Sequence, residues 1–183
     1  MIRFKSRITF FCLVTIFLLP LSNIKSQDLS AGVNLGIGSI SGNTTSLGSY
    51  NVSVFVQTES FLENNLYFRL TGLYCGDIDQ ILGTIRKYSP FLKGISLKGV
   101  TVQTVSGSFY AEEGAGLLYL NDRTLSDANA DDFGVTFSLL GGIDLTGFGN
   151  NGFKLGVGFD YGITFNNTLA KYYSFYFQAH YFF

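Results

Sequence analysis

Alternation with a period of two runs through most of the chain and is cleanest at its C-terminal end. Over residues 174–183, Phe175, Phe177, Ala179, Tyr181 and Phe183 fall on one face; Ser174, Tyr176, Gln178, His180 and Phe182 fall on the other. Such alternation belongs to a strand with one apolar and one more polar side. Five aromatics in the last eight residues do not suit a wet, fraying terminus. They suit a strand that faces lipid, with aromatics at the membrane boundary.

Further segments of about 9–11 residues, the length that crosses a bilayer when tilted, recur from Leu29 onward. The first sets Leu29, Ala31, Val33, Leu35 and Ile37 against Ser30, Gly32, Asn34 and Gly36, and a Gly/Ser/Thr/Asn loop follows over Ser41–Ser49. The second carries Tyr50, Val52, Val54 and Val56 outward, with Asn51, Ser53 and Gln57 inward. After a turn at Glu59–Asn65, the third sets Leu66, Phe68, Leu70 and Tyr74 against Tyr67, Arg69 and Thr71. A fourth lies between Leu92 and Thr104, with a phase shift near Gly99 that predicts a bulge. Beyond a tight turn at Val105–Ser108, the fifth covers Phe109–Leu120. Its adjacent Glu112 and Glu113 cannot both face inward without a bulge or an aqueous boundary.

Asn121–Asp132 reads as a polar loop. The sixth strand has Phe133, Val135, Phe137, Leu139 and Ile143 outward, and Gly134, Thr136, Ser138, Gly142 and Asp144 inward. A turn at Gly147–Gly152 leads to the seventh, with Phe153 to Phe165 at odd positions against Lys154, Gly156, Gly158, Asp160, Gly162 and Thr164. Asn166–Lys171 then connects to the eighth. The stretch from Gly76 to Phe91 departs from this pattern. Ile78, Ile81, Leu82 and Ile85 fall at helical spacing after Asp77 and before Pro90, which predicts a short amphipathic helix folded over the rim.

Eight strands with even parity put both termini on one side. The turns at 105–108 and 147–152 then share that side, and longer loops lie opposite, as in outer-membrane barrels. Phe183, with Tyr181 two residues before it, resembles the C-terminal assembly signal of those barrels. In strand pattern, length and terminus, the chain resembles the small OmpA/OmpX-like outer-membrane β-barrel family. The expected fold is therefore all-β: an eight-stranded antiparallel transmembrane β-barrel, an up-and-down meander. The resemblance implies the outer membrane of a Gram-negative bacterium. The partners it implies are outer-membrane lipid and lipopolysaccharide, the barrel-assembly machinery through Tyr181 and Phe183, and an extracellular partner through the loops.

The N-terminus supports export. Arg3, Lys5 and Arg7 precede a nearly unbroken apolar run from Ile8 to Leu21 and a small polar exit, the pattern of a secretory signal peptide over 1–26. The barrel domain is then 27–183. Without the signal, Cys75 is the single cysteine, so no intramolecular disulfide forms. Eight basic residues then face thirteen acidic ones, a net of −5, which argues against nucleic acid.

The inward-facing charges Arg69, Glu112, Asp144, Lys154 and Asp160, with Lys98 as a further candidate, are joined by Gln57, Gln103, Gln178 and His180. An eight-stranded barrel is just wide enough to be filled by side chains, so these groups are expected to pair as a polar plug. A narrow solute path or a route for hydrophobic molecules is the alternative. An outer-membrane lipid-modifying enzyme would have to use His180, the only histidine, but Ser174 lies six residues away along one strand, roughly 20 Å. No catalytic residues are therefore assigned. Asp127–Asp131 has alternating oxygen ligands, but Asp132 and Ser138 replace the Gly and Glu that a calcium loop needs. The paired glycines lie within strands and not at phosphate-binding turns. No cofactor or metal is expected. A soluble lipocalin-like barrel would leave the outward aromatics exposed. The expected role is structural or surface-interactive, in the manner of an adhesin.

Overall fold

The computed structural model describes residues 29–42, 45–60, 65–81, 83, 88–124, 129–146 and 152–183. The expected signal segment lies outside them. The strands are β1 (Leu29–Ser41), β2 (Leu47–Glu59), β3 (Leu66–Asp77), β4 (Phe91–Ser106), β5 (Phe109–Arg123), β6 (Ala130–Asp144), β7 (Gly152–Thr164) and β8 (Lys171–Phe182). Each pairs antiparallel with its neighbour in sequence, and β1 also pairs with β8, so the sheet closes. From Glu113 the ladder passes through Leu139, Phe159, Phe175, Ile37, Tyr50, Gly76 and Phe91. It returns to β5 at Arg123, ten residues from its start. That stagger requires strands tilted by about 40°.

The period-two pattern decides which side chains meet. Ile37 and Phe175 are 64% and 62% exposed on the outer wall, whereas Gln178 and His180 are fully enclosed in the lumen. Aromatic pairs edge the apolar belt at both ends. Tyr50–Tyr74, Tyr74–Phe91 and Tyr119–Phe133 lie toward the loop end, with centroids 6.0, 5.6 and 5.2 Å apart. Phe153–Tyr181 and Tyr181–Phe183 lie toward the end that holds Leu29 and Phe183, at 4.8 and 5.2 Å.

Several local expectations are corrected. No bulge occurs at Gly99, which pairs in register with Phe68 and Ala115. The apparent phase shift arises because Leu92 and Val100 are apolar yet face inward, and the real irregularity lies at Thr104/Ser106. Gln103 is exposed on the outer side and not in the lumen. Glu112 and Glu113 need no bulge: the first is buried in the lumen and the second is exposed on the outer wall.

The segment that departs from the strand pattern begins with two more strand residues, since Gly76 and Asp77 pair with Tyr50 and Ser49. Asp77 then accepts the Asp79 N–H at 3.1 Å and starts a single 3-10 turn, Ile78–Gln80. Among the described residues the helical spacing gives only this 3-10 turn; Leu82 and Ile85 lie outside them. The expected loop 121–132 is shorter, because Asn121 and Asp131 pair across β5 and β6. The loop expected over 41–49 shrinks likewise, since β1 runs through Ser41 and β2 starts at Leu47. Only the connection 78–90 at the loop end is long.

Gly116 marks a close approach of strands. A Cβ there would sit 2.0 Å from the Leu97 carbonyl oxygen and 2.6 Å from the Lys98 Cα, so backbone would have to move. Gly116→Val is expected to destabilise the barrel by about 1–3 kcal/mol through overpacking. Denaturant titration of the refolded protein checks this, and an unchanged midpoint would contradict the tight β4–β5 contact.

Candidate functional site

Every second residue of each strand enters the lumen, and six of the charges that arrive there meet in three opposite-charge pairs between strands. Arg69 on β3 reaches Glu112 on β5 at 2.6 Å. It also donates to Gln57 Oε1 at 2.7 Å and Gln178 Oε1 at 3.3 Å, while its guanidinium lies 4.3 Å from the Phe55 ring centroid. Lys98 on β4 meets Asp160 on β7 at 2.9 Å; Asp160 also accepts from Thr136 Oγ1 at 2.9 Å, and Thr136 continues to the Tyr172 hydroxyl at 3.1 Å. Near the terminal end Lys154 meets Asp144 at 3.1 Å and lies over the rings of Tyr110 and Phe182. Asp144 further accepts the Thr146 N–H at 2.9 Å and bonds its hydroxyl. Each charge thus gains a counter-charge, and most gain further hydrogen bonds, as burial of ions demands.

Apolar groups fill the rest of the lumen. Toward the loop end, Ile40, Leu73, Cys75, Leu92, Leu118, Leu120, Ala170 and Tyr172 form a buried cluster inside the barrel. Toward the other end Tyr110, Leu140 and Tyr176 pack together with Val102. The barrel interior is therefore filled by paired charges and packed apolar side chains. Above it, Asp132 fastens the last loop by accepting the N–H groups of Asn166, Asn167 and Thr168, each at 3.0 Å. Thr164 Oγ1 donates to the same carboxylate at 3.0 Å.

Of the lumen residues selected from sequence, Arg69 is brought to Glu112 and Lys154 to Asp144, while Asp160 takes Lys98 as its partner. His180 stands apart from all three pairs. Its ring packs edge-on against Phe55 at 4.9 Å and tilted against Phe182 at 4.4 Å. Neither ring nitrogen has a protein hydrogen-bond partner among the described residues. Ser174 pairs in register with Asp160 and His180 with Lys154, so serine and histidine sit at different levels of β8. Tyr181 and Phe183 pack against each other on the outer wall.

Asp127 lies outside the described residues. Asp131 accepts from Asn121 at 2.7 Å, and Asp132 is occupied by the last loop. No group of metal-ligating side chains occurs among the described residues. Sequence reasoning overlooked the loop-fastening Asp132 and the apolar plug. The inward phase of Asp132 with Gly134 and Thr136 was the available signal, but partners more than thirty positions away were not visible.

No family model and no curated relative matches the chain. Among solved structures, Neisserial surface protein A is similar, with TM-score 0.68 and 11% identity, covering 85% of this chain and 97% of that one. Ail, the attachment invasion locus protein of Yersinia pestis, solved with the heparin analogue sucrose octasulfate, gives TM-score 0.51 and 11% identity, covering 85% and 98%. At such identities the likeness is one of fold. The fold is that of the small OmpA/OmpX-like barrels, the eight-stranded antiparallel meander anticipated from the strand pattern.

Removing one member of a buried pair should hurt more than removing both. Arg69→Met leaves the Glu112 carboxylate enclosed without its cation and is expected to cost about 3–5 kcal/mol. Adding Glu112→Leu should recover most of that loss. Urea unfolding of the three folded proteins checks it; equal stability of the single and double variants would contradict the pairing.

Proposed function

We propose that the chain is an exported outer-membrane protein whose closed barrel serves as a rigid scaffold, presenting its loop end to an extracellular partner. The observation that carries this reading is the combination of a continuous apolar outer belt with a filled lumen. Exposed Leu35, Ile37, Val54, Leu117, Phe137, Val157 and Phe175 on the outer wall would be a liability in water and are at home against lipid chains. Inside, three ion pairs and the Leu92–Leu118–Leu120–Tyr172 plug favour a support over a conduit. The signal-like residues 1–26 accord with export.

The loop end combines cations with aromatics. Arg123 lies 6.0 Å from the Tyr88 ring centroid and 5.5 Å from that of Phe91, and Lys93 lies 5.8 Å from Phe91. The Tyr88 hydroxyl also bonds the Arg123 carbonyl, which ties the long connection to β5. Such a surface suits attachment, and the likeness in fold to an attachment invasion locus protein accords with that role. Lipopolysaccharide and phospholipid would surround the belt, and Tyr181 and Phe183 would engage the barrel-assembly machinery.

The direct experiment is to fractionate cells carrying the chain and run the outer-membrane fraction on SDS gels with and without boiling. A heat-dependent mobility shift in that fraction, with adherence to host cells that drops when Lys93 and Arg123 are replaced by serine, is the expected result. Adherence unchanged by those substitutions would remove the attachment role, and stepwise conductance in planar bilayers would remove the plug. Deleting Phe183 should lower the amount of folded barrel in the outer membrane; an unchanged amount on the same gels would count against the assembly signal.

A further inference from the structure

Glu113 is out of place on the outer wall. It is exposed on β5, four residues beyond Phe109 toward the loop end, which sets it roughly 10 Å inside that aromatic edge on a tilted strand. A carboxylate facing hydrocarbon costs free energy and by default marks a function. Glu113 has no ion-pair partner among the described residues, and the exposed cations Lys93 and Lys171 stand toward the opposite end of the barrel. Beside it on β4, Thr101, whose hydroxyl donates to the Glu113 carbonyl at 3.5 Å, and the exposed Gln103 extend a polar notch down to the rim.

Next to the notch a groove of about 660 Å³ opens over Gly141, walled by Leu139, Val157, Phe159 and Phe175. A Cβ at Gly141 would meet nothing within 4 Å, so the glycine forms the open floor of this groove. Phe159 and Phe175, with centroids 5.2 Å apart, form one flank. The site thus pairs a lone anion at its lower end with an apolar slot above.

We propose that this wall holds a phospholipid with an ammonium headgroup, drawn from the leaflet that faces the terminal end of the barrel. The ammonium N–H groups donate to the Glu113 carboxylate, the Gln103 amide donates to a phosphate oxygen, and an acyl chain lies in the groove over Gly141. Charge complementarity selects this occupant, because an ammonium offers three donors to a carboxylate that has little competing water. A second copy meeting this face through a two-fold axis at Glu113 would bring two like charges together, which is unfavourable. The proposal rests on the outer-membrane reading above, which supplies the lipid.

The test uses the full barrel, purified from membranes and exchanged into mixtures of phosphatidylethanolamine and phosphatidylglycerol, with retained lipid read by native mass spectrometry. Wild-type protein should retain phosphatidylethanolamine about tenfold better than phosphatidylglycerol, and Glu113→Gln should abolish that preference. Gly141→Leu, which fills the groove and leaves the charge, should lower retention of both lipids, while Glu59→Gln at the rim should change nothing. Equal retention by wild type and Glu113→Gln would overturn the site, as would a dimer that Glu113→Gln dissolves. All three variants should keep the heat-dependent gel shift. A wild-type chain without that shift and outside the membrane fraction would sink the outer-membrane reading itself. A membrane-bound, heat-shifting barrel without lipid preference would sink only this site.

Discussion

Closure of the hydrogen-bond ladder is the constraint on which the rest of this structure depends. A sheet with free edges leaves rows of unpaired N–H and C=O groups, which hydrocarbon cannot satisfy. Pairing of β1 with β8 removes both edges at once. It also fixes the stagger and tilt, and so the diameter of the space inside. Phe183 takes part in this seam, since its N–H reaches the Leu29 carbonyl at 3.3 Å. The end of the chain is thus the last piece of the ladder as well as part of its outer wall.

Closure creates an enclosed space that must then be filled without leaving charges alone. Arg69, Lys98 and Lys154 come from β3, β4 and β7, and their partners Glu112, Asp160 and Asp144 from β5, β7 and β6. The first two pairs reach across the lumen between strands that are not neighbours. They hold the barrel cross-section in a way the backbone ladder alone does not. Lys154–Asp144 instead joins adjacent residues on the β6–β7 ladder near the terminal end. Burial shields Arg69–Glu112 from water, which strengthens that pair and raises the cost of breaking it, whereas Lys154–Asp144 stays partly exposed.

The outer wall follows the opposite rule: nearly everything there is apolar, so each polar exception carries information. Glu113 is a charged exception within the belt, and its alternation partner Glu112 makes the contrast plain. Two neighbouring carboxylates of one strand meet two different environments because the side-chain period is two. Inside, a guanidinium answers the charge; outside, no cation of the described residues does.

Much of this was legible in the chain itself. Alternation over β1, β2, β6, β7 and β8 fixed the strands and the inward or outward sense of Asn51, Asp144, Lys154, Asp160 and His180, because a strand has a local period and one face had to be apolar. The same rule misled at β4, where apolar Leu92 and Val100 turn inward to plug the lumen, and a bulge at Gly99 was read from that. Helical spacing of Ile78 and Ile81 gives a single 3-10 turn among the described residues, after β3 has paired with β2 through Asp77. What local pattern could not contain was partnership: that Lys98 would find Asp160, that Asp132 would hold the 166–168 backbone, and that Glu113 would stand beside an open groove. Those facts depend on register and stagger around a closed ring. The sequence alone therefore determined the strands and their faces, through side-chain alternation; only closure of the barrel decided which residues meet, because the stagger sets which distant strands share a level.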